Sequence, residues 1–157
     1  ELAELKRLAG NAGPSTRNIP LKLRYARTDM QRWAQHYGVK LVMPAGNDPV
    51  RPDRGAILAA RQGKIAAYAR SVWTQAWVEG GDLGADALLD RAAREAGMDA
   101  AELRRFVDGE EGKAALTEQT QRASAEGIFG VPSFVVDGEM WWGNDRLDFL
   151  EAHLAGR

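Results

Sequence analysis

The 157 residues suit one domain, or one domain with a sizeable insertion, and are long enough to bury a core. Apolar residues make up 45% and charged residues 27%, and 21 Lys and Arg stand against 22 Asp and Glu for a net charge of −1. That balance is globular rather than disordered, offers no basic surface to nucleic acid, and contains no apolar run near the roughly 20 residues a bilayer span needs.

Cysteine is absent, which excludes a disulfide framework and any thiolate metal site in this sequence. The two histidines, His36 and His153, are too isolated to form a metal cluster by themselves, so no metal is expected. No secretory signal is visible, and a cytoplasmic protein with no membrane partner is the simplest reading.

Taken in order, Leu2 to Leu8 reads as a short helix stopped by Gly10, and Asn11 to Ile19 is turn chemistry, rich in Gly, Pro, Ser and Asn. Pro20 fits the first position of the next helix. Leu23, Ala26, Met30, Trp33 and Tyr37 recur there at helical steps, and Gly38 closes the run. Lys22, Arg24, Arg27 and Arg32 lie off that stripe: a solvated face, or a set from which one or two cations meet an anionic substrate. Among these cations Arg17, in the loop just upstream, is the best candidate for a substrate carboxylate, which arginine pairs in bidentate fashion.

Leu41 to Pro44 reads as a short extended piece, followed by a Gly, Pro and Asp-rich loop to Arg54. The periodicity then predicts one long helix from about Gly55 to Glu79, with Ile65, Tyr68, Ala69, Val72, Trp73 and Ala76 on its apolar side. Further helices are expected over Leu83 to Ala96, from the capping box Asp99-Ala100-Ala101-Glu102 through Val107, and from about Gly112 to Glu126. Five tryptophans either belong to the core or line a pocket for a flat aromatic ligand.

The C-terminal stretch Gly127 to Leu154 reads as strand, tight turn, strand and helix. Phe134-Val135-Val136 is β-rich, Asp137-Gly138 is the pair a type I′ turn tolerates, and Glu139-Met140-Trp141-Trp142 returns. Gly143 ends that strand, and Asn144 or Asp145 is placed to cap a helix carrying Leu147, Leu150 and Leu154. Pro132, just before a strand, has no N–H for a ladder, and a cis Val131–Pro132 bond would turn the backbone of Val131 outward toward an extended peptide. Backbone N–H groups at Asn144 and Asp145 suit a carboxylate, and the Asp145 side chain suits an ammonium. The pattern fits a receptor for a small zwitterionic peptide; an ordinary turn proline and an ordinary helix cap stand beside that reading.

Gly-Val-Pro-Ser (130–133) entering a hairpin, Trp-Trp-Gly-Asn-Asp-Arg (141–146) leaving it, and a terminal helix resemble the C-terminal half of a thioredoxin-like domain. Together with Gly10-Asn11-Ala12-Gly13-Pro14-Ser15, Arg17 and Asp29-Met30-Gln31-Arg32-Trp33-Ala34-Gln35, in the same order and at similar separations, the chain resembles the 2-hydroxychromene-2-carboxylate isomerases. These are glutathione-dependent relatives of the kappa-class glutathione transferases within the DsbA-like thioredoxin superfamily.

The resemblance implies an α/β fold, a thioredoxin-like domain with an inserted all-helical domain. Residues 1–10 would be the remnant of its N-terminal half, 11–118 the helical insertion and 119–157 its C-terminal half. An N-terminal βαβ unit, about 30 residues or more, would precede Glu1. There the family carries a serine that steadies the glutathione thiolate, so no residue here takes the catalytic role.

The resemblance further implies glutathione as cofactor, bound by Asn11, Val131, Pro132, Asn144 and Asp145. It implies a small aromatic carboxylate as substrate, isomerised from cis to trans in naphthalene catabolism, and a homodimer. Read without the family, Asn11 is a helix-terminal residue in a left-handed conformation. A kappa-like transferase shares the cofactor site. A disulfide-forming oxidoreductase shares the scaffold, with its Cys-x-x-Cys in the preceding segment. A non-catalytic binding module is the remaining reading.

Overall fold

The computed structural model describes residues 1–11, 13–46 and 48–156, and for Arg17 the backbone alone. The chain divides into two compact units, residues 13–117 and residues 1–12 with 118–157. The helices are α1 (Leu2–Leu8), α2 (Pro20–Tyr37), α3 (Val50–Arg61), α4 (Ile65–Trp73), α5 (Asp86–Glu95), α6 (Ala100–Asp108), α7 (Glu110–Ala125) and α8 (Leu147–Leu154). The strands, β1 (Ser133–Val136) and β2 (Glu139–Trp142), pair antiparallel with each other. No helix among the described residues is long and apolar enough to cross a membrane.

In the helical unit, α3 to α6 enclose the core. Tyr68, Leu89, Leu103 and Val107 are its largest fully buried side chains, and Leu58, Val72, Leu88 and Phe106 pack around them. Each such aliphatic side chain contributes about 1.5–3 kcal/mol by leaving water. Gly55 makes the α3–α4 approach possible. A Cβ there would fall inside 3.0 Å of the Tyr68 hydroxyl, which donates to the Pro52 carbonyl at 3.2 Å.

Arg51 fastens three elements from outside. Its guanidinium forks onto both Asp108 oxygens at 2.8 Å, reaches Asp86 at 2.8 Å and donates to the Gly84 carbonyl at 2.7 Å. The Arg51 hydrogen bond, then its charge, hold the Asp86 carboxyl below the ordinary aspartate range.

The single long helix expected from Gly55 to Glu79 is two helices and a π-turn. It begins earlier, at Val50, because Pro52 falls in the first turn, where a missing N–H costs nothing. It breaks after Arg61 because Gly63, at φ 69°, turns left-handed and lets the Lys64 N–H close back on the Ala59 carbonyl at 2.7 Å.

After α4 the backbone widens into a π-turn over Thr74–Val78. Three hydrogen bonds accompany it, one local and two tertiary. The buried Gln75 amide donates to Ser71 Oγ at 3.0 Å and to the Leu88 carbonyl at 3.2 Å, and the Trp77 carbonyl accepts the Val42 N–H at 2.7 Å. The stripe facing the core is therefore Tyr68, Ser71, Val72, Gln75 and Ala76, and the expected members Ile65 and Trp73 are 40% and 64% exposed. The extended piece from Leu41 forms no strand; a lone parallel bridge, Gly46 to Asp82, marks its end.

In the other unit α1 spans Leu2–Leu8, with Gly10 in the left-handed conformation after it. The hairpin and α8 follow α7 in sequence.

Candidate functional site

The hairpin forms where β-branched and aromatic residues flank a pair able to take positive φ. Asp137 and Gly138 sit at φ 52° and 81°, as a type I′ turn requires. Pairing runs from Val136 opposite Glu139 to Ser133 opposite Trp142. Strand alternation sends Phe134, Val136 and Trp141 to one side, where Trp141 lies against the His153 ring of α8 at 4.8 Å. His153 also meets the Asp137 carboxylate at 3.2 Å, so turn and helix end are joined. Val135, Met140 and Trp142 take the other side, exposed, with Phe129 edge-on to Trp142 at 4.9 Å.

At the open end the two features singled out in the sequence come together. The Val131–Pro132 bond is cis, and the Gly143 N–H donates to the Pro132 carbonyl at 3.0 Å, one rung beyond the ladder. Val131 is 58% exposed, and its main-chain N–H and C=O have no hydrogen-bond partner among the described residues. Across from it Gly143 adopts φ 111° and ψ 150°, a conformation essentially reserved for glycine, and turns the chain into a 3-10 turn over Asn144–Arg146. The N–H groups of Asn144 and Asp145 are likewise without partners among the described residues. An open peptide edge and a pair of free donors beside a carboxylate thus lie at the same end of the hairpin.

Neither Asn144 nor Asp145 caps α8, contrary to expectation. The 3-10 turn intervenes, Arg146 occupies the cap position without a side-chain cap, and the Asp145 carboxylate turns to the Arg146 guanidinium at 2.7 Å. A Cβ on Gly143 would intrude on the other oxygen of that carboxylate, so the glycine makes room for it. Arg146 was not singled out in the sequence, although it directly follows the Asn-Asp pair; its part depends on where its side chain goes.

Asn11 lies just after α1, exposed, with its N–H bonded to the Lys6 carbonyl at 2.9 Å. The left-handed residue there is Gly10, not Asn11, so the Asn11 amide is not explained by backbone geometry. Arg17 falls in a 3-10 turn, Thr16–Asn18, of the helical unit, and its side chain lies outside the described residues. On α2 the half-buried stripe is Leu23, Ala26, Met30 and Trp33, Ala34 is buried, and Tyr37 is exposed but stacked on Trp33 at 5.5 Å. Lys22, Arg24, Arg27 and Arg32 are all exposed.

A hollow of about 430 Å³ on α4 and α5 is lined by Ala66, Ala67, Arg70, Ser71, Thr74 and Glu95, with no tryptophan in its wall. Among the described residues no three His, Asp or Glu side chains are grouped to hold a metal.

Hairpin, terminal helix and helical insertion define a thioredoxin-like protein of the DsbA class: the family described as "DSBA-like thioredoxin domain" matches residues 1–155. The 2-hydroxychromene-2-carboxylate isomerase of Pseudomonas putida is 37% identical over 98% of this chain and 76% of its own length. The enzyme of the same name from Sphingobium xenophagum is 34% identical over 98% of this chain and 79% of its own. A solved structure of a 2-hydroxychromene-2-carboxylate isomerase superposes with a TM-score of 0.92 at 36% identity, over 99% of this chain and 76% of that one. The chain belongs to the 2-hydroxychromene-2-carboxylate isomerase family, a family of enzymes.

Proposed function

We propose that this chain isomerises 2-hydroxychromene-2-carboxylate to trans-o-hydroxybenzylidenepyruvate with glutathione as its cofactor. The observation that carries the cofactor is the open end of the hairpin. The unpartnered backbone of Val131 lies across a 3.0 Å hydrogen bond, Gly143 to Pro132, from the turn holding Asn144 and Asp145.

An extended tripeptide fits such an edge by strand addition: the Val131 N–H and C=O pair with its cysteinyl residue beside Pro132. The Asn144 and Asp145 N–H groups donate to the carboxylate of its γ-glutamyl end, and the Asp145 carboxylate takes the ammonium. Asn11, free of any backbone duty for its amide, is a further contact. Arg17 receives the substrate carboxylate.

When bound, glutathione supplies a thiolate that adds reversibly to the conjugated substrate, so that a double bond becomes a rotatable single bond until the thiolate leaves. The residues at the open end of the hairpin hold the tripeptide in place, which lowers the entropic part of the barrier. Borrowing the nucleophile is how a sequence without cysteine takes part in thiol chemistry. The same reading carries a cytoplasmic homodimer.

The test is isomerisation of the chromene acid, followed by absorbance, with glutathione, without it, and with S-methylglutathione. Turnover with glutathione alone is expected. Equal rates without it would remove the cofactor, and no isomerisation under any condition would remove the activity.

A further inference from the structure

The hollow on α4 and α5 is lined by polar groups that have finished their hydrogen bonding and by others that have not. Its volume of about 430 Å³ lies in the range of small-molecule sites, roughly 300–1,000 Å³. Ser71 is buried and saturated: its hydroxyl donates to Glu95 Oε2 at 2.6 Å and accepts from the Gln75 amide at 3.0 Å. Glu95 is equally occupied, since its other oxygen accepts from Arg91 Nε at 2.7 Å. The Ser71 hydroxyl, then the Arg91 guanidinium, hold the Glu95 carboxyl below the ordinary glutamate range, so it stays charged and engaged.

Arg70 and Thr74 are the unfinished pair. They stand one helical turn apart on the same wall, and neither side chain has a hydrogen-bond or ion-pair partner among the described residues. The guanidinium can only donate, and the threonine hydroxyl can donate as well. The methyls of Ala66 and Ala67 supply apolar surface beside them. Thr74 is also where the π-turn opens, its carbonyl accepting the Glu79 N–H at 3.0 Å. Such widenings of a helix recur at functional sites.

We propose that this hollow is a binding site for a small monocarboxylate with an apolar body, the carboxylate on Arg70 and Thr74 and the body over Ala66 and Ala67. A pair of donors with no acceptor of its own calls for an acceptor from the ligand, and one free guanidinium matches one negative charge. The methyls favour a ligand that brings apolar surface over a bare inorganic anion. The site shares no residue with the open end of the hairpin, and the inference does not depend on the cofactor assigned there.

The experiment is titration of the full protein with benzoate, benzamide and formate, followed in proton–nitrogen correlation spectra. Benzamide keeps the body without the charge, and formate keeps the charge without the body. Benzoate is expected to shift the amides of Ala66, Ala67, Arg70 and Thr74 saturably, and benzamide and formate to bind about tenfold more weakly or less. Arg70→Met is expected to weaken benzoate by about tenfold, the loss typical of a charged hydrogen-bonding partner, and Arg70→Lys to restore part of it. Thr74→Val should cost roughly 2- to 12-fold, as one neutral hydrogen bond does.

The Arg70 side chain is exposed, so its variants keep the fold, which the remainder of each spectrum reports. Absence of saturable shifts on this face overturns the inference. Equal binding of benzoate and benzamide, or unchanged benzoate affinity in Arg70→Met, overturns it as well. Shifts confined to the turn of Arg17 place benzoate with the aromatic substrate instead and have the same effect.

Discussion

Replacing Gly143 by alanine perturbs one atom at the junction of hairpin and turn, and its two effects separate. The first is backbone strain: φ 111° with ψ 150° lies where only glycine is comfortable, at a cost of about 1–3 kcal/mol for other residues. For a chain of this size each kcal/mol moves the unfolding midpoint by about 2–4 °C, so a drop of roughly 2–12 °C is expected by circular dichroism.

The second effect is displacement. The new Cβ falls inside 3.0 Å of Asp145 Oδ1, so the carboxylate must leave its place. On the proposed cofactor reading, losing one charged hydrogen bond is expected to weaken glutathione by about 1.5–3 kcal/mol, or roughly 10- to 150-fold by calorimetry. A double-mutant cycle with Asp145→Ala tells the effects apart, since residues in contact are not additive. In that background the alanine should still lower the midpoint but add little to the loss of binding. Wild-type stability with wild-type affinity in Gly143→Ala refutes the reasoning; losses that multiply in the double variant refute its link through the carboxylate.

Arg17→Ala is expected to raise the Michaelis constant for the aromatic carboxylate and leave glutathione affinity alone; equal effects on both show that Arg17 is misassigned. Arg51→Ala removes the fork to Asp108 and the partner that holds the Asp86 carboxyl below its ordinary value of 3.8. A depressed carboxyl stabilises the folded state fully above its unfolded pKa and loses that contribution as pH falls through the folded one. The gap in urea midpoints between wild type and Arg51→Ala should therefore be wide at pH 7 and narrow as the pH falls through and below the ordinary carboxylate range; a gap that does not change with pH excludes this account. Gly55→Ala drives a Cβ into the Tyr68 hydroxyl and should cost about 1–3 kcal/mol in denaturant unfolding, as overpacking does. A neutral Gly55→Ala would mean that α3 and α4 pack less tightly than described.

The parts legible in the sequence are those whose cause is local. Asp137-Gly138 between β-rich runs announces the hairpin, Pro20 starts α2, and Asp99 receives the Glu102 N–H at 2.6 Å as the capping box predicts. Where the cause lies far along the chain, the letters mislead. The break between α3 and α4 is an exception: polar Arg61 and Gln62 and left-handed Gly63 mark it locally, and the single expected helix runs through them.

The π-turn depends on the Leu88 carbonyl and the Val42 N–H, neither near it in sequence. Ser71 and Gln75 are polar, yet both are buried, because Glu95 Oε2 at 2.6 Å and the Leu88 carbonyl satisfy them, while Trp73 is left outside. The candidate site divides the same way. Val131, Pro132, Asn144 and Asp145 are visible as a motif. That Asp145 turns to Arg146 instead of capping α8 is a competition between a guanidinium and a row of amides, decided by geometry.

The neighbouring indoles of β2 give the protein two built-in emitters in unlike surroundings. Trp141 rests on an imidazole, whereas Trp142 stands 53% exposed one residue before Gly143. A guest at the open end changes the solvent around the second and leaves the first largely untouched. Intrinsic fluorescence of a Trp141→Phe variant, with the remaining tryptophans as background, therefore offers a label-free view of occupancy.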